Sequence, residues 1–109
     1  MPGGRDALKV RRGGRPAASV EIPVLPLDVE VEGCVATLLE VQKLEGLPKP
    51  YLAAAQVRCG DVASQVFHVA YASGSELATR LRAEVQKFQY LLWLYGRDET
   101  IKRGLARPA

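Results

Sequence analysis

Four side chains on one face of a predicted helix have the clearest chemical potential in this sequence. At 100° per residue, Arg82, Gln86, Tyr90 and Trp93 fall within about 80° of one another. Two aromatic rings and a guanidinium on a rigid face suit a single nucleic-acid strand, because bases stack on the rings and the cation contacts phosphate. The same pattern fits a helix buried on two sides or a subunit interface, since a lone Trp often fills a core.

A second aromatic group falls on two predicted strands late in the sheet. Tyr51, Phe67 and Tyr71 lie there, with Arg58 and His68 nearby. Aromatic side chains on a sheet surface are used by several modules that bind single strands. A lone histidine is typical of a partly buried imidazole with a hydrogen-bond partner, so we assign His68 no catalytic role.

Positive charge collects at the two ends of a chain whose net charge is +3. The first 15 residues have five basic side chains against one acidic one, and their Gly and Pro content predicts a flexible arm over residues 1–18. A basic arm gains affinity for a polyanion by releasing counterions, although a solubilising tail has the same composition. The basic residues of the arm are Arg5, Lys9, Arg11, Arg12 and Arg15. The basic residues expected near phosphates in the rest of the chain are Arg58, Arg80, Arg82 and Lys87.

The sequence has few residues from which an active site could be built. It has one histidine, no Ser/His/Asp grouping and no Gly-rich phosphate motif, so we predict no enzymatic activity and no cofactor. Cys34 and Cys59 are 25 positions apart without a C-x-x-C pair, which predicts no metal site. Buried free thiols are the favoured interpretation, with a disulfide as the alternative if the source is a hyperthermophile.

Length and hydropathy favour one domain outside the membrane. The 109 residues fit a single core, and no apolar run approaches the ~20 residues that cross a bilayer. The start of the sequence has no apolar stretch of the signal-peptide type. These features predict a cytoplasmic protein with no membrane partner.

Period-two alternation predicts the strands of one antiparallel sheet. Residues 28–32 alternate acid and valine most cleanly, and their carboxylates suit a solvated strand face better than a cation site. Gly33 marks either a bulge in one long bent strand or a tight hairpin, and we favour the bent strand. A Gly-containing loop at 59–61 predicts a hairpin between the last two strands. The predicted strands cover residues 20–24, 28–32, 34–41, 51–58 and 62–71.

A capping box opens the predicted helix. Ser73 accepts from the backbone N–H of Glu76, whose side chain bonds back. The helix covers residues 74–95, and residues 97–104 either form a short second helix or fray. The small side chains at 53–55 let this helix approach the sheet closely. Its buried stripe is Leu77, Leu81, Val85, Phe88, Leu92 and Tyr95.

Together these elements predict an α+β fold in which an antiparallel sheet of about four strands grips one long C-terminal helix. The predicted domain organisation is a flexible basic arm (1–18), a single α+β binding domain (19–105) and a disordered tail (106–109). The strand at 62–71 is apolar on both faces. One face therefore packs on the helix, and the other is expected in a homodimer or higher homo-oligomer.

The C-terminal half of the predicted helix is aromatic, with the sequence Lys87-Phe88-Gln89-Tyr90-Leu91-Leu92-Trp93-Leu94-Tyr95. Four antiparallel strands followed by such a helix resemble the ThermoDBP-related single-stranded DNA-binding proteins of thermophilic archaea. The resemblance covers residues 19–103. It implies a sheet that grips a helix, a hydrophobic cleft bordered by basic groups, and binding of single strands without strong sequence preference. Larger members have a C-terminal zipper helix that makes the dimer; the sequence here stops soon after Gly104, so the resemblance leaves the mode of assembly open.

We therefore expect a protein that binds single-stranded DNA, or RNA, with little sequence preference. Bases stack on aromatic side chains from the helix and the late strands, in a cleft bordered by basic residues. The alternative is a small protein-interaction subunit that joins a larger complex through its helix or its exposed sheet face.

Overall fold

The computed structural model describes residues 22–109, which form an α+β arrangement of one six-stranded antiparallel sheet and two helices. The strands are β1 (Leu27–Val31), β2 (Cys34–Lys43), β3 (Tyr51–Cys59), β4 (Val62–Ser64), β5 (Phe67–Tyr71) and β6 (Ala106–Pro108). The helices are α1 (Gly74–Tyr95) and α2 (Arg97–Lys102). The predicted arm and the first two residues of the predicted strand at 20–24 lie outside the described residues, and residues 22–24 form no strand. The described sheet therefore has six strands where about four were predicted, and a short helix follows the long one.

β1 and β2 form a tight hairpin, so the prediction of one bent strand through Gly33 is wrong. Val31 pairs with Cys34, which leaves Glu32 and Gly33 as the two turn residues. Both have positive φ, 50° at Glu32 and 86° at Gly33, as hairpin turns of type I′ require. Glycine adopts this conformation without a steric cost, and the chain can therefore reverse here instead of bulging.

β3 lies at the centre of the sheet and is paired along both edges. β2 runs antiparallel to one edge, with a bulge between Leu38 and Glu40. The other edge is shared, because β4 pairs with the end of β3 and β5 pairs with its first half. The predicted continuous strand at 62–71 is therefore broken at Gln65 and Val66.

Ser64 bridges the break between β4 and β5. Its hydroxyl accepts from the Val57 N–H at 3.0 Å and donates to the Gln65 carbonyl at 2.9 Å. The Gln56 side-chain amide donates to the Ser64 carbonyl at 2.8 Å. These hydrogen bonds replace the strand-to-strand hydrogen bonds that are missing at the break, so the polar groups near the core remain hydrogen-bonded.

β6 pairs with the outer edge of β4, where Ser64 lies opposite Ala106. The predicted disordered tail at 106–109 is therefore wrong for its first three residues, which are a strand. The short helix α2 turns the chain back toward β4. Thr100 is fully buried in it, and its hydroxyl donates to the Gly96 carbonyl at 2.5 Å.

α1 spans the residues that the sequence predicts. The Ser73 hydroxyl accepts from the Glu76 N–H at 3.3 Å. The Glu76 carboxylate accepts from the Ala72 N–H at 2.8 Å, one residue before the position that a capping box predicts. Gly96, with φ 82°, ends the helix by donating its N–H to the Leu92 carbonyl at 2.8 Å.

α1 covers one face of the sheet, and the core lies between the two. Leu77, Leu81, Val85 and Phe88 of the predicted stripe are buried, whereas Leu92 and Tyr95 near the end of α1 are half-buried. On the sheet side, Ala53 and Ala55 are fully buried, and their small side chains leave room for the helix as predicted. The largest fully buried side chains of the core are Tyr71, Leu38, Leu81, Val57 and Val85.

Cys34 and Cys59 form a disulfide, so the favoured interpretation as free thiols is wrong. The two residues lie at matching ends of β2 and β3, with their Cα atoms 4.5 Å apart. This is the spacing of directly opposite residues in a non-hydrogen-bonded antiparallel pair, which places their side chains next to each other. The disulfide therefore links β2 to β3 next to the β1–β2 turn.

Candidate functional site

Tyr90 and Trp93 lie on the outer surface of α1, away from the sheet. Their exposed fractions are 58% and 78%, and their ring centroids are 5.9 Å apart with an interplanar angle of 31°. The buried stripe of α1 is on the opposite side of the helix, so neither ring takes part in the core. The alternative in which Trp93 fills the core of the domain is therefore excluded.

Leu94 extends the exposed pair into a larger apolar surface. It is 49% exposed and follows Tyr90 by one helical turn. Tyr90, Trp93 and Leu94 together are called the aromatic face below. Large side chains exposed side by side on one helix mark an interaction surface more often than single exposed apolar residues do.

A cleft opens beside the aromatic face, between α1 and the break in the sheet. Its volume is about 230 Å³. The Gln65 side-chain amide donates to the Gly104 carbonyl at 3.3 Å and closes one wall. Leu91 lines the cleft and precedes Leu94 by three residues on α1, so the cleft and the aromatic face are neighbours. The apolar side chains of the lining are Val57, Val66, Phe67, Phe88, Leu91 and Leu105.

The cations near this surface differ in whether a carboxylate neutralises them. Lys87 lines the cleft but pairs with Glu84 at 3.2 Å, and Arg80 pairs with Glu76 at 3.2 Å. Arg82 is exposed, and it has no acidic partner within residues 22–109. It precedes Trp93 by 11 residues, which is about 16 Å along the helix axis. Among the described residues, Arg82 is therefore the cation on this side of α1 that no carboxylate neutralises.

Ion pairs near both ends of α1 involve the loops that connect the strands. Lys49 and Arg80 bind the Glu76 carboxylate, and the hydrogen bond from Lys49 is the main reason that the pKa of Glu76 is lowered to about 2. Arg97, just beyond the other end, donates to Asp61 at 3.1 Å and to Asp98 at 2.9 Å. These hydrogen bonds, the one to Asp61 foremost, raise the pKa of Arg97. The groups are positioned to hold α1 in place.

The predicted strand aromatics do not join this surface. Tyr71 is fully buried, so its predicted role in base stacking is wrong. Tyr51 stacks on Tyr71 with ring centroids 5.3 Å apart, and Lys43 lies 5.9 Å from its ring centroid. Arg58 alternates with the buried Val57 on β3 and therefore faces away from α1.

The nine predicted binding residues thus separate into groups. Phe67, Lys87, Tyr90 and Trp93 lie around the cleft and the aromatic face, and Arg82 lies farther along the same helix. The four that lie elsewhere are Tyr51, Arg58, Tyr71 and Arg80. Sequence reasoning missed Leu94, although its spacing of four from Tyr90 indicated a shared face. It also missed Leu105, for which no local pattern gave a signal.

The described residues contain no group of three or more His, Cys, Asp or Glu that could hold a metal ion. None of the helices in this part of the chain is long and apolar enough to cross a membrane. No protein-family model, no curated protein sequence and no solved structure matches this chain.

Proposed function

We propose that this protein binds single-stranded nucleic acid, DNA in the first place, with little sequence preference. One observation carries the proposal: Tyr90 and Trp93 form an exposed aromatic pair on the outer face of a rigid helix. Exposed rings of this kind stack on unpaired bases, and each stacked base contributes about 1–3 kcal/mol. In duplex DNA the bases are already stacked on each other, so a single strand is the preferred ligand.

The geometry of the pair favours stacking on its outer surfaces. With centroids 5.9 Å apart, the two rings are already in contact, and no base fits between them. Successive bases would therefore pack across the face from Trp93 over Tyr90 toward Leu94. Rings and a methyl-rich side chain offer no pattern of donors and acceptors to a base edge, which is the reason for expecting weak sequence preference.

The cleft is the second element of the proposed site. A strand that crosses the aromatic face reaches it next to Leu91, where the Phe67 ring provides an apolar wall. Lys87 lies at this point, although Glu84 shares its charge. We therefore expect the cleft to hold a base by apolar contact and to contribute little to the binding of phosphates.

We expect Arg82 and the basic residues of the arm to supply the positive charge for contacts with phosphates. The arm lies outside the described residues, and its five basic side chains are the largest local concentration of positive charge in the sequence. Contacts with phosphates release counterions, so affinity should fall as salt rises. Removal of residues 1–15 should lower the slope of log K against log salt by several units, whereas an unchanged slope would exclude the arm from binding.

The resemblance to the ThermoDBP-related proteins agrees with this proposal and is part of what we propose. We also predict a cytoplasmic location, no enzymatic activity, and assembly into a homodimer or higher homo-oligomer. RNA is the alternative form of the same ligand. A 2′-hydroxyl adds a donor and an acceptor, and parallel titrations with DNA and RNA of one sequence would distinguish the two.

The proposal is tested by titrating a labelled mixed-sequence oligonucleotide with the full chain and following fluorescence anisotropy. Trp93→Ala and Tyr90→Ala should each weaken binding by about 1–3 kcal/mol, the contribution of one stacked base. Leu47→Ala removes a comparably exposed side chain from a distant loop and serves as the matched control. It should bind as tightly as the unmodified chain.

Folding is checked on the same samples. Trp93 is 78% exposed, so Trp93→Ala should change the free energy of unfolding by no more than about 0.5 kcal/mol. Weak binding by a folded variant then reports lost stacking. Equal affinities of the unmodified chain, Trp93→Ala and Tyr90→Ala would refute the proposal.

A protein-interaction module is the second candidate, and the extent of the apolar surface favours it. Leu94, Val66 and Leu105 are exposed around the cleft in addition to the two rings. A helix from a partner could bind such a groove through apolar anchors. This candidate predicts no salt-dependent binding of oligonucleotides.

A further inference from the structure

The sheet has a second face, opposite to α1, on which two arginines flank one alanine. Arg58 on β3 pairs with Ala63 on β4, and Ala63 pairs with Arg107 on β6. Residues that are directly opposite on neighbouring strands point to the same side of a sheet. The two arginines are therefore two strand spacings apart, about 10 Å between their backbones, with only a methyl group between them.

Neither arginine has a carboxylate partner in the part of the chain that the structure describes. Three of the other arginines there, Arg80, Arg97 and Arg103, each form an ion pair. Arg58 and Arg107 are exposed, and both line one concave site of about 270 Å³. A bound anion stabilises two guanidinium groups that line one concavity without a carboxylate to neutralise them.

Gln56 adds a donor to this concavity, and the acidic side chains Asp28 and Glu30 lie on β1, across β2 from Arg58. The amide nitrogen of Gln56, which also lines the concavity, uses one N–H on the Ser64 carbonyl and has a second N–H. Thr37 donates its hydroxyl to one oxygen of Asp28 at 2.7 Å, which holds that carboxylate on the far side of β2 from Arg58. Glu30 lies in the same row as Arg58 but two strands away, on β1.

We propose that this concavity, called the Arg58–Arg107 site, binds a phosphate group. Two guanidinium forks and one amide N–H supply more donors than the two oxygens of a carboxylate can accept well, whereas a phosphate has enough oxygens for all three. Arg58 and Arg107 face away from Tyr90 and Trp93, so this inference is independent of the proposed function. The phosphate belongs either to a nucleic-acid backbone or to a small phosphate compound, and the test separates these sources.

The experiment follows the backbone amide signals of the ¹⁵N-labelled full chain by NMR during titration with sodium phosphate, at constant ionic strength. Saturable shifts are expected at Ala63 and its strand neighbours. Arg58→Gln and Arg107→Gln should each weaken phosphate binding about tenfold, and the double variant should lose saturation, because charged hydrogen bonds are lost. Lys102→Gln removes one exposed positive charge elsewhere and should bind like the unmodified chain.

Two further titrations identify the source of the phosphate. If an oligothymidylate shifts the same amides and inorganic phosphate competes with it, the ligand is a nucleic-acid backbone. If only inorganic phosphate and thymidine monophosphate do so, the ligand is a small phosphate compound. Linear shifts without saturation, equal binding of sodium acetate, or an equal loss in Lys102→Gln would overturn the proposal. The spectrum of each variant shows directly whether it is folded.

Discussion

Reduction of the Cys34–Cys59 disulfide should destabilise the domain by an amount that follows from the length of the loop it closes. The two residues are separated by 25 positions, and the chain-entropy relation then gives about 12 cal/mol/K, or about 3.5 kcal/mol at 25 °C. For a domain of this size, 1 kcal/mol corresponds to about 4–8 °C in Tm, so the reduced protein should unfold about 14–28 °C lower.

The assay is thermal unfolding by circular dichroism, with and without a thiol reductant. The double variant Cys34→Ala/Cys59→Ala is the control, because its transition should not respond to the reductant. Thiol titration of the unfolded protein should find no free thiol before reduction and two afterwards. Coincident transitions of the oxidised and reduced protein would refute the reasoning, since the crosslink would then not restrict the unfolded chain.

The remaining predictions concern the start of α1 and the β1–β2 turn. The pKa of Glu76 is lowered to about 2 from an ordinary 4.5, so its ionised carboxylate stabilises the fold above pH 4.5. This stabilisation is lost as pH falls toward 2. When the free energy of unfolding is measured across that pH window, Glu76→Gln should therefore lose less of it than the unmodified chain. Parallel curves for the two proteins would contradict this. Gly33→Ala places a Cβ at φ 86° and should cost about 1–2 kcal/mol in urea unfolding, whereas an unchanged midpoint would contradict the turn assignment.

The elements that local sequence patterns determine were predicted well. α1 follows from the side chain of Ser73 at its start, Gly96 at its end and an apolar stripe between them, all of which act within a few turns of one helix. The exposure of Tyr90 and Trp93 follows from the same periodicity once one face of α1 is assigned to the sheet. Composition alone does not decide whether these rings are buried, because a lone Trp is compatible with a core position and with an exposed one.

The elements that depend on distant partners were not predictable in this way. Ala106–Pro108 becomes a strand because β4 offers a free edge, and β4 has that edge because the chain breaks at Gln65 and Val66. The disulfide depends on the register of β2 against β3, which pairs Val35 with Arg58 and so brings Cys34 next to Cys59. Phe67 and Leu105 line the same cleft because of these strand pairings. No local sequence pattern predicts which strands pair.

The aromatic face is tested most directly by the fluorescence of Trp93, the one tryptophan of the chain. The full chain is titrated with a mixed-sequence single-stranded oligonucleotide and with the matching duplex, at low and at moderate salt. Stacking on an exposed ring predicts quenching by the single strand that is weaker with duplex and weaker at higher salt. An unchanged Trp93 signal, together with no shift of the oligonucleotide in a gel, would contradict the proposal and favour the protein-interaction module.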